Sequence, residues 1–144
     1  MNTGGKASLS SVIVIEMPIH SQDRGFLVVA QGGNEPNFSI ARVFMVCAQK
    51  NEVRGRHSHK RCSQLLVCFT GEILVTCTDG AIEREFLLNE PNSGLLIPPG
   101  IWSEQKYLTE NSVLIVLCDR IYEEDDYIRE FSDFLDYRKG NISE

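Results

Sequence analysis

Short hydrophobic stretches recur along most of this chain and are separated by residues that favour turns. Several stretches alternate between apolar and polar residues, as strands with one buried face do. Asp79-Gly80, which lies between two of them, favours a tight hairpin because glycine accepts a positive φ. Many short strands at regular spacing are typical of an all-β barrel or sandwich. The predicted strands cover residues 12–16, 26–30, 40–47, 64–69, 72–77, 82–87, 94–97 and 112–117.

The C-terminal segment follows a different pattern. Phe131, Phe134 and Leu135 recur there at helical spacing. Acidic residues crowd the start of the segment and basic residues its end, which complements the helix dipole. We therefore predict one amphipathic α-helix over residues 123–138, packed on the outside of the β domain or on a partner subunit.

The length of 144 residues leaves room for one domain. We expect residues 1–11 to be a flexible lead-in and residues 12–138, with the helix, to form that single domain. The content of 42% hydrophobic and 24% charged residues is that of an ordinary globular protein.

Charge and hydropathy argue against several classes of partner. A net charge of −6 is unfavourable for general binding to nucleic acid or to an anionic membrane. The apolar runs are far shorter than the roughly 20 residues that span a bilayer, and no signal peptide is evident. Five cysteines, with no C-x-x-C spacing, favour buried free thiols and a cytoplasmic location.

Two of the three histidines, His57 and His59, stand two positions apart. On an extended strand these side chains point to the same side. They are either an exposed pair on a polar loop or two imidazoles directed into the interior of the fold. An imidazole pKa near ~6.5 makes such a pair a natural proton carrier at neutral pH.

The residues that follow resemble the two sequence motifs of cupins, in which an H-x-H pair, a Glu and a later His converge inside a β-barrel. In this chain Gln64 stands at the Glu position and Ser103 at the late His position. An amide and a hydroxyl are weak ligands for a divalent metal. We therefore expect no metal and no other cofactor.

Basic residues surround the histidine pair and suit a phosphorylated ligand, since guanidinium groups bind phosphate in a bidentate manner. We expect one or two of them to contact ligand and the rest to be solvated: Arg54, Arg56, Lys60 and Arg61. Arg42, which opens an apolar run, needs an anionic partner or an open mouth of the barrel. Trp102 has two open roles, stacking on a sugar or base and ordinary core packing.

A wider set of segments occurs in order along nearly the whole chain, about residues 12–135. They are Asp23-Arg24-Gly25, Phe38-Ser39-Ile40-Ala41-Arg42-Val43, Arg54-Gly55-Arg56-His57-Ser58-His59-Lys60, Gln64-Leu65-Leu66-Val67-Cys68, Ile97-Pro98-Pro99-Gly100-Ile101-Trp102 and Tyr127-Ile128-Arg129. This set resembles the dTDP-4-keto-6-deoxyglucose 3,4-ketoisomerases, also known as WxcM-like sugar isomerases, among the RmlC-like cupins. The resemblance implies a cupin jelly-roll β-barrel with a C-terminal α-helix, assembled as a homodimer.

The same resemblance implies a metal-independent 3,4-ketoisomerase of deoxyamino-sugar biosynthesis, which acts on a dTDP-4-keto-6-deoxyhexose through an enediol. His57 and His59 are the implied acid/base residues, and we favour His59 as the group that takes the carbon-bound proton. The expected substrate contacts are Arg24, Arg42, Arg54, Gln64, Trp102 and Ser103.

Four positions depart from the pattern of that family. Phe44 and Met45 stand where one or two tyrosines are usual, and Ser103 and Lys106 stand where histidines are common. Two alternatives therefore stay open. One is an epimerase or isomerase of a related nucleotide sugar, and the other is a non-catalytic cupin that binds sugar nucleotides.

Overall fold

A computed structural model describes residues 6–140, and alternating strands build two five-stranded antiparallel sheets. The strands are β1 Ile13–Glu16, β2 Ile19–Gln22, β3 Gly25–Val28, β4 Arg42–Ala48, β5 Val53–His59, β6 Gln64–Thr70, β7 Ile73–Thr78, β8 Glu83–Leu88, β9 Ser93–Ile97, β10 Trp102–Tyr107, β11 Ser112–Cys118 and β12 Tyr127–Ile128. The first sheet has the order β1-β9-β6-β11-β4 and the second the order β12-β5-β10-β7-β8, while β2 and β3 form a separate hairpin. The predicted all-β class is confirmed, and the arrangement is that of a jelly roll.

The main core lies between the two sheets and uses the alternation seen in the sequence. Leu66, Cys68, Leu114 and Val116 enter it from the first sheet, and Ile73, Val75, Cys77 and Tyr107 from the second. In β4 the pattern is clear, because Phe44 and Val46 pack against this core while Val43 and Met45 are exposed on the outer face. Burial of these apolar side chains is the main force that holds the sheets together.

The helix predicted over 123–138 is wrong in its first half. Tyr127 and Ile128 form a strand that pairs with His59 and Ser58 of β5, and helix α1 covers only Phe131–Arg138. Hydrogen bonds to a sheet edge replace helical ones there, which a pattern of apolar residues alone does not reveal. The helix buries Phe134 and Tyr137 in a second cluster with Trp102 and Ile128.

Part of the expected lead-in, residues 1–5, lies outside the described residues. Within the rest of that segment, Leu9–Ser11 form a 3₁₀ turn and Leu9 is buried in the core. Arg138 of α1 donates to the carbonyl of Ala7 at 2.6 Å. Across residues 6–140 no helix is long and apolar enough to cross a membrane.

Candidate active site

A cavity of about 320 Å³ opens between the two sheets, and the segment after β11 closes one side of it. Both polar and apolar side chains line it. The lining residues are Phe44, Val46, Arg54, Gly55, His57, Gln64, Leu66, Gln105, Tyr107, Leu114, Val116, Tyr127 and Arg129. This size lies within the range of small-molecule sites.

A β-bulge in β5 decides which of its side chains face the cavity. Ser103 of β10 lies opposite His57, but the next residue, Glu104, lies opposite Gly55, so Arg56 is the extra residue. On a regular strand residues 54 and 57 point to opposite faces. The bulge shifts this phase, and both Arg54 and His57 line the cavity.

Glycine is required at the bulge for two reasons. Gly55 has a φ of +86°, in the left-handed region. A Cβ atom at this position would also overlap the side-chain amide of Gln105, which lines the same cavity.

The two histidines lie side by side, as the i, i+2 spacing predicts. Their ring centroids are 4.9 Å apart in an edge-to-face arrangement. They differ in exposure, because His57 lines the cavity whereas His59 is only 5% exposed and lies behind it. The interpretation of the pair as an exposed polar loop is therefore wrong.

A carboxylate that the sequence did not reveal holds His59 in place. Asp126 Oδ2 accepts a hydrogen bond from His59 Nδ1 at 2.7 Å, and both groups are buried. The other oxygen accepts the backbone N–H of Arg61 at 2.6 Å. Burial opposes ionisation of Asp126, but these hydrogen bonds outweigh it and lower the pKa of the carboxyl. The proton of the neutral ring therefore stays on Nδ1, and Nε2 carries the free electron pair.

The surroundings of His57 determine its protonation state. Burial is the main cause that lowers the pKa of His57 to about 4, and the positive charge that His59 gains when it is protonated lowers it further. At neutral pH the ring is therefore uncharged and has a nitrogen lone pair available as a proton acceptor.

Tyr127 covers both histidines from the β12 side. Its ring centroid lies 4.4 Å from that of His59 and 5.3 Å from that of His57. The guanidinium of Arg129 lies 4.2 Å from the Tyr127 ring and lines the cavity. Sequence reasoning missed both residues as site residues, although their segment was part of the family resemblance, because it had been interpreted as a helix.

Gln64 and Arg42, two of the predicted substrate contacts, both lie close to the thiol of Cys118. Gln64 Nε2 lies 3.5 Å and Arg42 Nη2 3.7 Å from Cys118 Sγ. Hydrogen bonds from Cys62 and Gln64, together with the charge of Arg42, lower the pKa of Cys118 to about 6. Gln64 lines the cavity, and Arg42 lies beside Phe44 and Tyr122, with ring centroids 5.5 Å from its guanidinium carbon.

The structure places the other predicted site residues differently. Trp102 is buried between β10 and α1, with its ring centroid 5.2 Å from that of Phe131, so packing is the role it fills. Ser103 is buried and accepts a hydrogen bond from Gln105 Nε2 at 3.1 Å. Arg24 lies in the turn between β2 and β3 and lines a different, shallow cavity of that hairpin.

Of the basic residues around the pair, all within the described range, Arg54 alone lines the site cavity. Arg56 pairs with Glu104 at 3.3 Å on the surface, and Arg61 pairs with Asp125 at 3.0 Å. Of the two positions where tyrosine is usual, Phe44 lines the cavity, whereas Met45 is 67% exposed on the outer face. Met45 therefore has no direct bearing on the chemistry of this cavity.

Comparisons with known proteins agree with this geometry. The family model described as FdtA, WxcM-like, C-terminal, matches residues 10–139. The TDP-4-oxo-6-deoxy-alpha-D-glucose-3,4-oxoisomerase of Aneurinibacillus thermoaerophilus is 38% identical over 115 residues, which cover 79% of this chain and 83% of that protein.

Solved structures of 3,4-ketoisomerases also match this chain. A mutant of the 3,4-ketoisomerase QdtA from Thermoanaerobacterium thermosaccharolyticum, in complex with TDP-4-keto-6-deoxyglucose, matches with a TM-score of 0.88 and 33% identity over 94% of this chain and 99% of that chain. A 3,4-ketoisomerase from Helicobacter canadensis matches with a TM-score of 0.86 and 28% identity over 90% of this chain and 98% of that chain. With the family model covering nearly all of its length, the chain belongs to the FdtA, WxcM-like family of sugar-nucleotide 3,4-ketoisomerases.

Proposed function

We propose that this protein is a TDP-sugar 3,4-ketoisomerase in which the two histidines move the protons. The observation that carries this proposal is the pair of imidazoles 4.9 Å apart at the wall of a sugar-sized cavity, in a member of this family. The substrate is a TDP-linked 4-keto-6-deoxyhexose, the class of compound bound to the related QdtA mutant.

The reaction moves the carbonyl from C4 to C3 without a net change in atoms. The C3–H proton leaves, and the enediol forms across the two carbons as its monoanion, with the negative charge on the C4 oxygen. The proton of the C3 hydroxyl then moves to the C4 oxygen as C4 gains a proton, which gives the 3-keto sugar. Positioned acid/base groups of this kind typically contribute about 10²–10⁴-fold in rate.

We assign the removal of the carbon-bound proton to His57. The sequence analysis favoured His59 for this role. Geometry comes before basicity in choosing a base, and His57 is the imidazole that lines the cavity. Because its ring is neutral, it accepts the C3 proton and returns it to C4.

We assign to His59 the transfer of a proton between the oxygens at C3 and C4. Asp126 keeps the proton of its ring on Nδ1, and Nε2 is buried without a hydrogen-bond partner among the described residues. A buried polar atom without a partner requires an explanation. We propose that Nε2 becomes accessible to a sugar hydroxyl when the substrate binds, takes its proton and returns it to the neighbouring oxygen.

Basic groups at the cavity hold the nucleotide. Arg54 and Arg129 lie on its wall, and both are exposed enough to meet a diphosphate. Guanidinium groups bind phosphate oxygens in pairs, so we assign them to the TDP part. We assign Gln64, which lines the cavity, and Arg42, which lies near it at Cys118, to the sugar, and the contacts from Arg24 and Ser103 stay predictions.

The test is an NMR assay of purified protein with TDP-4-keto-6-deoxyglucose in heavy water, without added metal. We expect a 3-keto product and deuterium at the carbons that exchange. His57→Asn should abolish carbon exchange, and His20→Asn, a change at the exposed histidine of β2, should leave it intact. Absence of both turnover and binding of TDP would refute the proposed function. Carbon exchange that His57→Asn retains and His59→Asn abolishes would reverse the two roles.

A related epimerase is the second candidate, because Phe44 replaces a phenol on the cavity wall. An epimerase removes the proton of a carbon beside the carbonyl, C3 or C5, and returns a proton to the other face of the same carbon, so deuterium would appear there while the carbonyl stays at C4. A product with one inverted centre and no movement of the carbonyl would favour this interpretation.

We further propose a homodimer that forms through the outer face of the first sheet. Apolar side chains are exposed there and on the adjoining hairpin: Phe26, Leu27, Val43, Met45 and Phe69. Several of them border an apolar groove of about 280 Å³. An apolar surface of this kind is typical of protein–protein contacts.

All five cysteines, which lie in the described range, are free thiols, and this supports a cytoplasmic enzyme.

A further inference from the structure

A second constellation of polar groups lies behind the catalytic cavity. One ligand atom each from His59, Cys62 and Asp126 lies within 4.8 Å of the other two, and all three residues are buried. From this placement we propose a zinc site that blocks the enzyme when it is filled. The inference deepens the proposed function, because its effect on activity rests on the role given to His59.

The donor set suits zinc rather than a harder cation. Imidazole nitrogen, thiolate sulfur and carboxylate oxygen are the three kinds of ligand that zinc takes in proteins, and magnesium or calcium prefers oxygen alone. Water completes the fourth position where the protein supplies three ligands. The set shares only His59 with the cupin motif positions, since His57, Gln64 and Ser103 take no part in it.

The charges around the cluster also favour a cation. Glu123, Asp125 and Asp126 share the guanidinium of Arg61, at distances of 4.0, 3.0 and 3.9 Å. Arg120 pairs with Glu123 at 2.7 Å. Two cations therefore face three carboxylates, which leaves a net negative charge beside the cluster.

Zinc bound here is incompatible with proton transfer by His59. If the metal binds Nδ1, it replaces the hydrogen bond to Asp126, and if it binds Nε2, it occupies the free lone pair. Cys62 gives up its thiol proton to solvent when the metal binds. In either geometry His59 can no longer accept a hydroxyl proton, so zinc is an inhibitor and removal of zinc restores activity.

The experiment measures binding and activity separately on metal-free full-length protein. Equilibrium dialysis with zinc chloride should give one ion per chain. Cobalt(II) chloride should produce a sulfur-to-metal charge-transfer absorption. Cys62→Ser should weaken zinc binding by more than about 100-fold, since changes outside the ligand shell alone weaken it by about 10–100-fold. The charge-transfer band should also be lost.

A buried thiol elsewhere supplies the matched control. Cys68 lies in β6, and its Sγ bonds to the backbone oxygens of Thr70 and Gly71. Cys68→Ser should therefore bind zinc like the unaltered protein. Circular dichroism would verify that both variants are folded.

Zinc should inhibit the unaltered enzyme and the Cys68→Ser variant, and a chelator should reverse this. Cys62→Ser should be active and insensitive to zinc. Equal zinc affinity in folded Cys62→Ser, or a cobalt spectrum without the charge-transfer band, would overturn the site whether or not the protein isomerises sugars. Binding through Cys62 in a protein without isomerase activity would uphold the metal site and refute the proposed function instead.

Discussion

Replacement of Asp126 by asparagine changes one buried oxygen into an amide nitrogen beside His59. In the native protein Oδ2 accepts the proton of Nδ1 at 2.7 Å and leaves Nε2 unprotonated. The NH₂ group of asparagine is a donor, so it stabilises the other tautomer, in which Nδ1 carries the lone pair and Nε2 the proton. His59 would then present a proton where the reaction needs an acceptor.

The expected effect follows from the tautomer and from the lost charge. In serine proteases the corresponding Asp-to-Asn change lowers kcat about 10⁴-fold, and acid/base groups generally contribute about 10²–10⁴-fold. We expect a fall in kcat of about 10²–10⁴-fold for Asp126→Asn. Affinity for TDP should change little, because the carboxylate is buried away from the cavity wall.

The fold should survive this change. The remaining side-chain oxygen of the Asp126→Asn variant would still accept the backbone N–H of Arg61, which bonds to Asp126 Oδ1 at 2.6 Å in the native protein. Loss of one hydrogen bond to a charged group costs about 1.5–3 kcal/mol, a fall in Tm of several degrees.

Asp125→Asn is the matched control for the chemistry and for the charge. Its carboxylate is exposed and pairs with Arg61 at 3.0 Å, and exposed ion pairs contribute only about 0–1 kcal/mol. We expect kcat within about twofold of the unaltered enzyme. The assay is initial-rate kinetics with TDP-4-keto-6-deoxyglucose, with circular dichroism to verify folding. A folded Asp126→Asn enzyme that keeps kcat within about threefold would refute the role given to the His59–Asp126 pair.

Three further predictions concern the bulge, the proton balance and the outer face. Gly55→Ala should destabilise the fold by about 1–3 kcal/mol and lower kcat, because φ is +86° and the new methyl meets the Gln105 amide; thermal unfolding and initial rates measure this. The pKa of His57 is about 4 in the folded state and 6.5 in the unfolded chain, so only the unfolded chain takes up this proton as the pH falls through that window. Stability should therefore fall from pH 6.5 to pH 4, and His57→Asn should remove up to about 3 kcal/mol of that loss in urea unfolding. Phe69→Glu should convert a dimer into a monomer in light scattering, whereas Ile82→Glu, at a position with the same 60% exposure, should not.

Each of these has a result that would contradict it. A Cβ atom at Gly25 meets nothing within 4 Å, so Gly55→Ala and Gly25→Ala variants of equal stability would exclude a special role for the bulge. Identical pH dependence in the His57→Asn variant would show that this ring titrates normally in the folded protein. A dimer that survives Phe69→Glu would place the interface elsewhere.

The sequence alone was sufficient for eight of the twelve strands in the described residues and for one property of the histidine pair. Apolar residues in short alternating runs located eight of the strands, because burial of one face of a sheet imposes a period of two on the chain. The same period placed His57 and His59 on one side, and the structure confirms it.

Long-range pairing decided the rest of the site. Asp126 reaches His59 across 67 positions of the chain, and Tyr127 pairs with the same histidine through β12. Such contacts depend on which strand edges meet, and a local pattern carries no record of that. For the same reason the helix was predicted too long, since sheet hydrogen bonds competed with helical ones at Tyr127 and Ile128.

The phase shift in β5 is the clearest case of a property that the tertiary structure decided. Strand periodicity alone puts Arg54 on the face opposite His57, and one extra residue against β10 brings both to the cavity. The sequence thus determined a β fold with two neighbouring imidazoles. The tertiary structure decided which imidazole meets the cavity, which carboxylate orients the other, and which arginines accompany them, because each depends on pairing between distant strands.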